Sequence, residues 1–211
     1  MFKFIRQSPL TFSIALAAVL ALLLPAAFRW FELDTSKNLM MQLPQMIGCH
    51  LLHWSFDHAS WDLLMFLLVG MICERRNKSD YAIVLLFSAL AIPACVACFV
   101  PTVSSYRGLS GIDTAIFAYA AFLLIDESIK ESNWQTALIY GGLYVGMLGK
   151  IGYELTFGGT LFVSSDSFAP VPMAHIVGAV IGSLVAGSRI ILPATVFARV
   201  SNLDRPGPQQ L

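Results

Sequence analysis

Charged side chains are scarce in this sequence: Asp, Glu, Lys and Arg make up 12% of its 211 residues, about half the share usual in a soluble domain. That scarcity excludes a water-exposed globule. A hydrophobic fraction of 57% and a mean hydropathy of +0.72 point to a membrane protein instead. An excess of one sign is also missing, since Lys+Arg 13 balance Asp+Glu 13. A nucleic-acid partner needs a concentrated basic surface, so none is expected. Cysteine is sparse, at four residues. Cys95 and Cys98 form a C-x-x-C inside an apolar run, away from the helix N-terminus that activates a thiolate, and read as small buried side chains. No H-E-x-x-H pattern, solenoid repeat or separate soluble domain is present. His50 and His53 are spaced to share a metal, but His58 turns away from their face, so neither a metal site nor a cofactor is expected.

What the chain does have is long apolar runs. A spanning helix needs about 20 such residues to cross a hydrocarbon core of about 30 Å. Runs at residues 9–28, 51–73, 81–101, 110–125, 134–150 and 172–192 predict an all-α polytopic membrane protein with six transmembrane helices in one domain, 1–192. Uninterrupted apolarity excludes the alternating pattern of barrel strands. The first run follows Lys3 and Arg6 but is long for a signal peptide, and it is read as an uncleaved span. Residues 193–211, ending in a Pro- and Gly-rich stretch, read as a short cytoplasmic tail; Ile151 to Val171, rich in Gly and Ser, reads as an outer loop or flap.

Basic residues set the orientation. With both termini cytoplasmic, Lys3, Arg6, Arg75, Arg76, Lys78, Lys130, Arg189, Arg199 and Arg205 lie inside, against Arg29, Lys37, Arg107 and Lys150 outside. The positive-inside rule favours this arrangement over its inverse. The second, fourth and sixth spans then start at the outer face.

Ionisable residues within spans are costly, about 2.5 to 3.5 kcal/mol for Asp near a helix centre, so their positions are informative. His53, Asp57, His58 and Asp62 lie in the second span, Ser110 and Asp113 open the fourth, and His175 opens the sixth. All three helices start outside, so a hydroxyl and two imidazoles are expected at one shallow depth. That set suits acyl transfer: a serine is a weak nucleophile until an imidazole takes its proton and later returns it to the leaving amine. Gly108 and Gly111 flank the nucleophile and allow a tight turn into the helix, whose unpaired N–H groups face an incipient oxyanion. Gly178 and Gly182, four apart, allow close packing against Gly111, Ala115 and Ala118, which would bring Ser110 and His175 within reach of each other.

These residues resemble the rhomboid intramembrane serine proteases over about three quarters of the chain. The family's second-span pattern H-x4-H-x3-N, then Gly and Glu-Arg, is matched by His53, His58, Asp62, Gly70, Glu74 and Arg75. Its G-x-S-G motif is matched by Gly108 to Gly111, and its A-H-x-x-G-x-x-x-G motif by Ala174 to Gly182. The resemblance implies the six-span rhomboid fold and a serine endopeptidase acting on transmembrane protein substrates within the bilayer. Ser110 would be the nucleophile and His175 the general base and acid. His58 and the N–H groups of Leu109 and Ser110 would stabilise the oxyanion. The implied location is the bacterial inner (plasma) membrane, with the active site opening to the outer side.

Two departures stand out. Asp62 occupies the position of the usual Asn; it is expected either to accept from one His58 nitrogen and aim the other at the oxyanion, or to stay protonated and donate itself. Thr114 stands where many rhomboids place a Tyr that stacks on the base. Asp113 would then either orient His175 or form a structural pair with Arg107. The short segment from Arg29 to Ile47 lacks the long first loop of many bacterial rhomboids, and with His53-Trp54, Trp61-Asp62 and the Arg107–Asp113 motif it resembles the rhombosortase branch. That branch implies processing of C-terminal tails bearing a Gly-Gly motif, a hydrophobic helix and a basic end. The alternative is a catalytically inactive rhomboid-like membrane adaptor or chaperone, for which Asp62 is the one supporting feature.

Overall fold

The apolar runs form helices whose ends are set by identifiable caps. The computed structural model describes residues 6–161 and 170–191. Within them lie α1 (Pro9–Leu23), α2 (Pro25–Phe28), α3 (Leu43–Gly48), α4 (Phe56–Arg76), α5 (Lys78–Phe99), α6 (Ser110–Lys130), α7 (Trp134–Phe157) and α8 (Pro172–Ile191). A two-stranded antiparallel ribbon pairs β1 (Leu33–Asp34) with β2 (Ser105–Tyr106). Residue 192 of the sixth expected span and the tail 193–211 lie outside the described residues, as do residues 162–169 of the expected outer loop.

Four of the long helices start where a side chain satisfies their first amides. Ser55 accepts from the His58 N–H at 3.1 Å to start α4, Asn77 caps α5 through Asp80 N–H, and Asn133 caps α7 through Thr136 N–H. The buried Glu74 carboxylate caps α1 from a distant part of the chain, accepting from the amides of Leu10 and Thr11 and from the Thr11 hydroxyl. An anion at the positive end of a helix is favourable there.

Of the boundaries that differ from the sequence reading, two bear on the site. The second run starts at Phe56 rather than 51, because Cys49–Leu51 form a 3-10 turn before the Ser55 cap. The helix expected to end at 150 continues through residues 151–157, up to Gly158 in the left-handed region at φ 67°. Lys150 is therefore a residue inside a helix, not a boundary. A glycine just past the last turn ends a helix without steric cost.

Of these helices, α4, α5 and α8 are long and apolar enough to cross a membrane. Pro9–Leu23 with Pro25–Phe31, bent by 114°, makes a fourth candidate. α6 and α7 fill the remaining predicted segments with 21 and 24 residues, lengths sufficient to span. They carry more polar residues, Asp113 and Asp126 in α6 and Lys150 and Glu154 in α7.

α6 is the central helix. Ala115, Ile116, Ala118 and Tyr119 are fully buried, enclosed in part by α5 and α8. The contact between α6 and α8 is backbone on backbone: a Cβ added at Gly178 would fall 2.1 Å from the Gly111 carbonyl, and one at Gly182 2.0 Å from the Ala115 carbonyl. Only glycine permits that approach. At the opposite end of the pair, Arg189 reaches Asp80 at 2.5 Å. α7 stands further out and exposes Leu138, Ile139, Val145 and Leu155, side chains suited to lipid.

Candidate active site

The turn that carries Ser110 is held from several sides. The ribbon fixes residues 105 and 106 against 33 and 34, and Arg107 pairs with Glu32 while its guanidinium lies 3.9 Å over the Trp54 ring. Gly108 donates its N–H to the Cys49 carbonyl at 3.2 Å. Its own carbonyl lies 3.1 Å from His50 Nδ1, while His50 Nε2 faces the Ala89 carbonyl at 3.2 Å. Gly108 has φ 124°, a conformation that a side chain strains. A Cβ there would also meet His58 Cε1 at 3.0 Å. Both His50 nitrogens are thus directed at carbonyls, which makes this residue a strut between the Ser110 turn and α5.

Ser110 is the first residue of α6, and it lines a cavity of about 820 Å³. His175, at the start of α8, lines the same cavity, and the Gly178 contact with Gly111 brings the two helix starts together. His58 and Asp62 of α4 also line it, as do Asp113, Thr114 and Phe117 of α6. Gly142, Gly146, Met147, Lys150 and Glu154 form the α7 wall. The structure therefore gathers Ser110, His175, His58, Asp62 and Asp113 around one cavity. Gly178 and Gly182 act behind it as packing residues.

Asp62 is a junction. Its Oδ2 accepts the Leu109 N–H at 3.1 Å and lies 3.3 Å from His53 Nε2 and 3.2 Å from His58 Nε2. Two consequences follow for the expected oxyanion donors. The Leu109 amide is already committed to a carboxylate, so in this geometry it does not face the cavity as a donor. The Ser110 amide is among the first four of α6, which have no intrahelical carbonyl to bond. The His58 ring is held by its contact with Asp62, and His53, fully buried, joins the same carboxylate rather than acting alone.

Neither role expected of Asp113 matches its surroundings. The Arg107 guanidinium pairs with Glu32, not with Asp113. His175 Nδ1 bonds Glu154 Oε2 at 2.6 Å, not Asp113. Both Asp113 carboxyl oxygens are buried without a hydrogen-bond partner among the described residues. Thr114 donates its hydroxyl back to the Ser110 carbonyl at 2.8 Å, a local helix bond.

Glu154 is the residue that sequence reasoning missed. It is buried in the last turn of α7, with Oε2 on His175 and Oε1 on Lys150 Nζ at 2.5 Å. The signal existed: Lys150 and Glu154 are four apart, the spacing of a helical ion pair, and Gly158-Gly159 marks a helix stop beyond them.

The family model described as the Rhomboid domain matches residues 40–190, which include every residue of the cavity wall named above. No curated protein matches the chain.

Proposed function

The chain belongs to the rhomboid family of intramembrane proteases, and from that premise we propose that it is a serine endopeptidase of the membrane, with Ser110 as nucleophile and His175 as general base and acid. The observation that carries this reading is the convergence of Ser110 and His175 in one cavity at the starts of two helices packed through Gly178. As Ser110 Oγ attacks a peptide carbonyl, its proton passes to the imidazole. The imidazolium then protonates the departing amine as the C–N bond breaks, and water repeats the sequence on the acyl-enzyme. The Ser110 N–H and His58 face the oxyanion.

Six spans, both termini in the cytoplasm and a site opening to the outer side of a bacterial inner membrane complete the reading. The nine-to-four distribution of basic residues supports the orientation. The cavity wall of Met65, Phe117, Gly142 and Gly146 supports a transmembrane helix as substrate, since it is apolar below the polar cluster. A cleavable carbonyl must first leave its helical hydrogen bond, so small, helix-breaking residues are expected at the cut site. The short Arg29–Ile47 segment and the Arg107–Asp113 motif support the rhombosortase branch, and with it the processing of C-terminal Gly-Gly tails.

A serine-reactive phosphonate tests the nucleophile. Labelling of the wild-type protein that disappears in Ser110→Ala fits the protease. Absence of labelling under conditions that label an active rhomboid would favour the inactive adaptor, the reading for which Asp62 in place of Asn speaks.

A further inference from the structure

Resting on the serine-protease reading of Ser110 and His175, we propose that Glu154 is the positioning residue of the base, so that the site works as a Ser110–His175–Glu154 triad rather than a dyad. The 2.6 Å contact joins Glu154 Oε2 to His175 Nδ1, with the two side chains 1% and 8% exposed. An imidazole that donates its Nδ1 proton to a carboxylate carries its lone pair on Nε2, the nitrogen left to serve the cavity and Ser110. One acceptor thus selects the tautomer and fixes the ring plane together.

The proton inventory closes. The Ser110 hydroxyl proton moves to Nε2 while the Oγ–C bond forms, and the positive charge this creates on the ring sits against Glu154. The Nε2 proton then leaves with the amine as the C–N bond breaks, and the ring returns to its starting tautomer. Glu154 stays a hydrogen-bond acceptor throughout and takes no proton. Lys150 completes the device. Its ammonium holds Oε1 at 2.5 Å, so the carboxylate is not a lone charge in an apolar wall, and Oε2 is kept aimed at the ring.

Position argues against a purely structural ion pair. Lys150 alone would satisfy that role, yet the carboxylate also spans from α7 to α8 and ends on the one imidazole nitrogen that the reaction does not use. Asp113, another carboxyl of the cavity wall, makes no hydrogen bond to His175 among the described residues.

The test is the inactivation kinetics of the full-length protein with a fluorophosphonate, comparing wild type with Glu154→Gln, Glu154→Asp, His175→Ala and Ser110→Ala. Glu154→Gln should lower the maximal inactivation rate by about 100-fold or more while the concentration dependence stays within about threefold. Glu154→Asp should recover a large part of the rate. A low-field proton resonance from His175 Nδ1 should be present in the wild type and absent in His175→Ala. A Glu154→Gln rate equal to wild type, or a wild type without that resonance, would overturn the triad; the resonance decides the matter even where Glu154→Gln fails to fold. Labelling that persists in Ser110→Ala would instead sink the protease reading on which the triad rests.

Discussion

The Leu109 amide donates to Asp62 Oδ2 at 3.1 Å, so the residue before Ser110 is tied to α4. The same oxygen faces two histidines. An Asn oxygen could take the same place but carries no negative charge, so each of the three contacts would weaken, and its amide would stand where Oδ1 is. Asp62→Asn should therefore lose about tenfold in turnover, and Asp62→Ala should destabilise the fold by about 3 kcal/mol by leaving a buried amide without its acceptor and two imidazoles without the carboxylate beside them. Thermal melts and turnover in the same detergent check both. Asp62→Asn activity at or above wild type would remove the orienting role.

Gly178 and Gly182 make a sharper steric prediction. A methyl group at either position meets a carbonyl of α6 at about 2 Å, and backbone cannot step aside as a side chain can. Gly178→Ala and Gly182→Ala should each cost about 1–3 kcal/mol of stability. Gly178→Ala should also lose more activity than Gly182→Ala, because it lies one turn from His175. Equal melting temperatures for wild type and both variants would contradict the packing.

His50 offers a prediction about a residue that touches no substrate. It joins the Gly108 carbonyl to the Ala89 carbonyl, and so holds the turn before Ser110 onto α5. His50→Phe keeps the volume and removes both contacts. Activity should fall by an order of magnitude or more, with a loss of about 1–3 kcal/mol in stability from the carbonyl left without its donor. Unchanged activity in this variant would mean that the turn holds itself.

Asp113 and Glu154 compete for one role, and their neutral variants separate them. Asp113→Asn removes no hydrogen bond among the described residues, whereas Glu154→Gln alters the acceptor on His175. The loss in turnover for Glu154→Gln should exceed that for Asp113→Asn by about tenfold or more. The reverse order, measured on one reporter substrate, would return the orienting role to Asp113.

Much of the candidate site was legible because the costly residues of a membrane chain are few. His58, Asp62, Ser110 and His175 stood out as polar groups in apolar runs, and the helix starts at Ser110 and near His175 follow the punctuation of the sequence. Glu154 was not legible for the same reason in reverse. Treating Lys150 as the edge of a span put Glu154 in a loop, although its charge is balanced by the lysine one turn earlier. The partner of Arg107 was hidden differently. Glu32 lies far away in sequence and reaches the site only through the pairing of β1 with β2, a ribbon of two residues per strand that leaves no periodic signal. The span count rests on composition, and α6 and α7, which carry Ser110 and Glu154, are the two helices whose polarity blurs it.

The most direct test of the central claim is to compare the secreted and membrane proteins of the native host carrying wild-type protein with those of a host carrying Ser110→Ala, by mass spectrometry of C-terminal peptides. Proteins that lose their C-terminal hydrophobic segment only when Ser110 is present are the expected result. Identical C-termini in the two strains, with both proteins present in the membrane at equal levels, would contradict it.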